Sequence, residues 1–79
     1  LVIEILSPGN SKKELKLKYD LYEENGVLEY WIVDPERESI YQYIEKNGKF
    51  VPQKPLVKGD KIRCTVIKGF VLPVAEIFD

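Results

Sequence analysis

Leu1 to Leu6 contains a single polar position, Glu4, and so apolar a run predicts a buried, central strand. Ser7-Pro8-Gly9-Asn10 breaks it, with proline and glycine as the interrupting residues. Helical spacing follows. Ser11 with Glu14 three residues on fits a capping box, and Asn25-Gly26 supplies the left-handed stop after Glu24. Glu29 to Val33 predicts a second strand, closed by Asp34-Pro35. Strand, helix and strand on short connections make a βαβ unit with parallel strands.

The pattern then turns antiparallel. Ser39 to Glu45 and Lys49 to Gln53 flank Asn47-Gly48, a strong hairpin signal. Gly59-Asp60 predicts a further turn and Lys61 to Ile67 a further strand, and Pro73 opens a short terminal helix through Phe78. The predicted class is α/β, a mixed sheet in which a βαβ unit precedes antiparallel strands and one main helix covers them.

Charge disturbs this pattern in two places. At 100° per residue with Leu15 at zero, Leu17, Leu21, Tyr22, Leu15 and Tyr19 form an apolar arc from about 200° to about 40°. Lys18 falls near 300°, inside that arc, and Glu14 near 260°. On the first strand, Glu4 shares a face with Val2 and Leu6. A buried carboxylate is costly unless it is paired or binds a metal. If the helix covers Glu4's face, Glu4, Glu14 and Lys18 converge. Two carboxylates and a lysine suit a divalent-cation site for phosphoryl chemistry.

Plainer explanations exist for each residue. Glu14 and Lys18 fit an ordinary i, i+4 pair, Glu14 fits a capping box, and the Lys18 stem can snorkel past apolar neighbours. Glu4 can mark where the strand leaves the core. Tyr41 and Tyr43 share a hairpin face, which suits base stacking but more commonly means cross-strand packing. Cys64 alternates with Ile62 and Val66 as a small core residue would. Lys12 and Lys13 could meet phosphate or simply face solvent.

Composition narrows the chemistry further. The 79 residues allow one small domain, and 44% hydrophobic with 32% charged residues predicts a folded one. Histidine is absent and Cys64 is the single cysteine, which removes zinc sites, histidine triads and disulfide frameworks. A metal here is oxygen-held, Mg²⁺ or Mn²⁺. One unpaired thiol suits a reducing cytoplasm, and no apolar run reaches the length of a membrane span. The net charge of −1 lends no support to nucleic-acid binding and does not exclude it.

The run LVIEILSPGN, then Glu14 and Lys18, then LYEENGVLEYWIVDP, and finally Gly69-Phe70 with VAEIF, resembles the Uma-type restriction-endonuclease family, also catalogued as a bacterial domain of unknown function. The resemblance spans nearly the whole chain but only the second half of a full member. It implies a restriction-endonuclease-like fold of the PD-(D/E)xK kind. There, an Asp on one strand and an acidic residue on the next hold Mg²⁺, and a lysine assists the attacking water. Glu4 matches the acidic position. Leu6 stands at the usual lysine position, and Lys18 matches the helical lysine of the family. Glu14 matches a further acidic position, and the Ile5 carbonyl is implied as a metal ligand. The leading Asp is expected upstream of Leu1, so residues 1–79 read as the C-terminal part of a larger domain, inactive alone.

The expected function is Mg²⁺-dependent (or Mn²⁺-dependent) hydrolysis of DNA. The alternative is a binding or assembly module that keeps the fold without catalysis, a homodimer or domain-swapped oligomer being one form of it. A third is a structural fragment whose charges merely pair.

Overall fold

The computed structural model describes residues 1–78. Strand β1 (Val2–Ile5) leads through helix α1 (Lys12–Glu24) to β2 (Glu29–Asp34). Strands β1 and β2 are parallel, with Glu4 beside Ile32 and Ile5 beside Val33. The expected βαβ unit is therefore present. Ser11 caps α1, its hydroxyl accepting the Glu14 N–H at 3.1 Å. Asn25 closes the helix, and Gly26 takes the positive φ (75°) that turns the chain away.

β3 (Ser39–Lys46) and β4 (Lys49–Pro52) form the predicted hairpin on a two-residue loop. Asn47 and Gly48 both have positive φ there, 53° and 82°, as a twist-matched tight turn requires. β2 pairs antiparallel with β3, giving the order β1-β2-β3-β4, and β5 (Leu56–Val57) pairs with the far end of β3. A separate two-stranded sheet joins β6 (Lys61–Arg63) to β7 (Val71–Pro73), and α2 (Val74–Phe78) closes the described chain. Among the described residues no helix is long and apolar enough to cross a membrane.

Two expectations need correction. β1 is not the buried central strand. Its residues alternate between half-buried and exposed, and Ile3 and Ile5 are exposed. Helix α1 covers one of its faces, and nothing among the described residues covers the other. The central strand is β2, whose first five residues are all buried. The strand predicted over Lys61 to Ile67 stops at Arg63; beyond it the Cys64 thiol and the N–H and hydroxyl of the exposed Thr65 are given to a buried carboxylate. Strands β5 and β7, two and three residues long, are too short for an alternation to register.

Each face of β2 carries its own apolar cluster. Tyr30 and Ile32, with Phe50 of β4, pack beneath α1 against Val2, Leu6, Tyr19 and Tyr22. Trp31 and Val33, with Ile40, pack on the opposite face against Ile62, Cys64 and Val74. Cys64 is thus the small core residue its spacing predicts. The Glu23 carboxylate accepts the Phe50 N–H at 2.7 Å, tying the end of α1 to β4.

The second cluster encloses a charge. Glu29, at the start of β2, is fully buried. Its carboxylate accepts from Trp31 Nε1 (2.5 Å), Gln42 Nε2 (2.8 Å), Thr65 N (2.7 Å) and Thr65 Oγ1 (2.5 Å). The Cys64 thiol donates to it at 3.7 Å. Neutral donors from β2, β3 and the β6–β7 loop therefore solvate one carboxylate, as they must if burial is not to expel it.

Candidate active site

Alternation along β1 turns Val2, Glu4 and Leu6 toward α1. The helix meets them with the arc that holds Leu15, Lys18, Tyr19 and Tyr22, all partly buried. That arc is narrower than the apolar pattern predicts. Leu17 and Leu21 are 61% and 53% exposed, so the covered stripe is centred on Tyr22 and Leu15, with Lys18 along one border. A helix lying on a sheet buries one stripe, and positions about 100° away from its centre point past the sheet.

Lys18 Nζ donates to Glu4 Oε2 at 3.3 Å. Tyr22, one turn further on, donates its hydroxyl to Glu4 Oε1 at 2.6 Å. Both carboxylate oxygens are therefore held from the same helix. The Tyr22 hydrogen bond is the main reason Glu4's carboxyl lies below its ordinary value. Partial burial opposes it, and Lys18 adds to it through a hydrogen bond and its charge. The same contact pushes the Tyr22 hydroxyl up.

Glu14 does not join this group. It is exposed, its N–H is spent on the Ser11 cap, and its carboxylate has no hydrogen bond or ion pair among the described residues. Nor does Glu14 pair with Lys18; the i, i+4 ion pair of α1 is Lys16–Asp20 at 3.1 Å. Ile5 contributes its backbone. Leu6 N–H reaches Val33 O at 2.9 Å. Because successive residues of a strand aim their backbone groups to opposite sides, the Ile5 carbonyl faces the edge of β1 that no described strand pairs. Lys12 and Lys13 are exposed. Tyr43 packs edge-on against Tyr19 at 5.2 Å, which favours aromatic packing over a base platform. Asp34 ends β2 as expected, its Oδ1 accepting the N–H groups of Glu36 and Arg37.

An open cleft of about 640 Å³ adjoins this group at the C-terminal ends of β1 and β2, lined by Leu6, Ser7, Lys12, Leu15, Asp34 and Arg37 among others. Clefts at that end of parallel strands are where α/β sheets commonly take ligands. Glu4 and Lys18 do not line it; they lie one strand repeat and about one helical turn further in.

A hard cation suits this donor set in part. A carboxylate offers about four lone-pair positions, and Tyr22 and Lys18 use two at Glu4. With the Ile5 carbonyl, the protein would offer a cation two oxygens, a number Mg²⁺ accepts when waters complete its shell. No group of three or more Asp, Glu, His or Cys that could hold a metal occurs among the described residues. The role of Tyr22 and the buried Glu29 are features that sequence reasoning missed. The helical wheel files a tyrosine with apolar residues, and a charged residue at a strand's start ordinarily faces water.

The sequence model of a family described as "Uma2: Putative restriction endonuclease" matches residues 1–75. No curated protein matches the chain. Among solved structures, the chain is similar to "a putative nuclease belonging to DUF820 from Anabaena variabilis ATCC 29413", at a TM-score of 0.74 and 19% identity. The alignment covers 96% of this chain and 41% of that one, so the chain spans about two fifths of the length of that relative.

Proposed function

The chain belongs to the Uma2 family, and from that premise we propose that it carries the Glu4 and Lys18 half of a divalent-metal-dependent endonuclease site acting on DNA. The observation that supports this most is the pairing of a strand carboxylate with a helix lysine, 14 residues apart, within 3.3 Å. Glu4 and the Ile5 carbonyl would hold Mg²⁺ or Mn²⁺, and Glu14, four residues before Lys18 on α1, is an exposed acidic residue that a substrate-bound state could recruit. A bound cation lowers the pKa of water and neutralises charge on the phosphodiester. Lys18 keeps two ammonium protons beyond the one it gives Glu4, and with them it orients the attacking water or meets charge developing on the phosphate. The cleft beside Leu6 and Leu15 is the approach path, with Lys12 and Arg37 on its rim.

On this reading residues 1–79 alone cut DNA slowly or not at all, since no group of three or more Asp, Glu, His or Cys that could hold a metal is gathered among the described residues. That same observation favours the second reading, a binding or assembly module without catalysis. Titration of the intact protein with Mn²⁺, followed by electron paramagnetic resonance, separates the two. The nuclease reading expects binding that Glu4→Gln weakens at least about tenfold, together with metal-dependent nicking of plasmid DNA. Binding unchanged in Glu4→Gln, or no binding at all, leaves the module.

A further inference from the structure

We propose that Tyr22 is a positioning residue that sets the orientation of the Glu4 carboxylate and so decides which of its lone pairs a cation can use. The proposal rests on the reading of Glu4 as a metal ligand. Its basis is a difference between the two partners of Glu4. Lys18 reaches Oε2 at 3.3 Å through a long flexible stem whose side chain is 43% exposed. An ammonium on such a stem follows its partner and does not hold it in one plane. Tyr22 reaches Oε1 at 2.6 Å, a short charge-assisted contact, and its ring has only two rotatable bonds.

The tyrosine is itself held from below. Its ring lies edge-on to Tyr30 at 5.1 Å. Tyr30 is fully buried on the central strand and stacks on Tyr43 of β3 and Phe50 of β4, at 6.0 and 5.9 Å. The hydroxyl of Tyr22 is thus the polar end of an aromatic cluster that spans three strands. Tyr30 does not share the task, because its hydroxyl is the one buried side-chain polar atom without a hydrogen-bond partner among the described residues. Partners behind a metal ligand of this type typically change metal affinity or activity about 10- to 100-fold.

Tyr22→Phe tests this, since it removes the hydroxyl and keeps the ring that packs on Tyr30. In the intact protein, Mn²⁺ affinity and kcat fall about tenfold, KM for DNA stays within about twofold, and the thermal midpoint moves little. In metal-free protein, side-chain coupling constants measured by nuclear magnetic resonance show Glu4 in one rotamer in the wild type and averaged in Tyr22→Phe. A single Glu4 rotamer in both proteins, with Mn²⁺ affinity and kcat unchanged, overturns the proposal. Averaging of Glu4 in Tyr22→Phe, in a protein whose Mn²⁺ binding ignores Glu4→Gln, upholds the positioning role and defeats the metal reading instead.

Discussion

On the nuclease reading, Lys18→Met in the intact protein is expected to lower DNA cleavage by about 10²- to 10³-fold, the usual cost of removing one preorganised donor from a developing oxyanion. Mn²⁺ binding is expected to persist. The pair explains both. Lys18 lies 3.3 Å from Glu4, so deleting its charge takes a competing cation away from the carboxylate and leaves metal affinity equal or higher. Tyr22 still holds the other oxygen. Stability barely changes, because the pair is partly solvated and such ion pairs contribute about 0–1 kcal/mol. Methionine also retains the apolar stem on the arc that Lys18 shares with Leu15, Tyr19 and Tyr22. A drop in kcat without loss of Mn²⁺ affinity or thermal midpoint therefore marks a lysine that acts on substrate or water. Cleavage at the wild-type rate would reduce Lys18 to a counterion of Glu4. Lys18→Arg separates the alternatives further, since the guanidinium keeps the charge but spreads it over a wider, planar fork.

The pairing of Glu4 with Lys18 was legible because two charges interrupted two apolar patterns whose geometry is simple. A period of two placed Glu4 on one face of β1, and a period of 3.6 placed Lys18 within the apolar arc of α1. The hairpin at Asn47-Gly48 and the limits of α1 were legible for a similar reason, since the backbone conformations there favour few residue types. The edge position of β1 is not legible, because an apolar run records only that a strand has apolar residues on both faces. It does not say whether both faces are covered. Tyr22 escaped notice because its ring obeys the apolar pattern while its hydroxyl does the polar work. Glu29 escaped because its donors come from residues 2, 13, 35 and 36 positions away, a convergence that no local pattern carries.

That convergence gives the largest expected effect on stability. Glu29→Ala is expected to destabilise the fold by about 3–5 kcal/mol, which for a domain of this size lowers the thermal midpoint by about 15 °C or more. The substitution strands the Trp31 indole N–H and the Gln42 amide in the interior, takes the acceptor from both Thr65 donors at its margin, and leaves a cavity where the carboxylate sat. It also frees the β6–β7 loop, since Gln42 bridges Glu29 to the Arg63 carbonyl at 2.7 Å. Glu29→Gln keeps the volume and one acceptor oxygen, so its loss is smaller, about 1–3 kcal/mol. The acid limb of stability carries the same information. Burial pulls the Glu29 carboxyl upward, but hydrogen bonds from Thr65, Gln42 and Trp31 outweigh it and hold the group below its ordinary value of 4.5. The unfolded chain therefore takes up the proton first as pH falls. The contribution of Glu29 is complete above about pH 4.5 and is lost as pH drops through its folded value. Urea midpoints measured from pH 7 to pH 3 should fall more steeply in the wild type than in Glu29→Gln. The lowered Glu4 carboxyl adds a slope of the same sign in both proteins, so the difference between the curves isolates Glu29. Parallel curves, or a Glu29→Ala midpoint within a few degrees of wild type, would mean that water can satisfy these donors, and that the buried charge does not fasten the β6–β7 unit to the sheet.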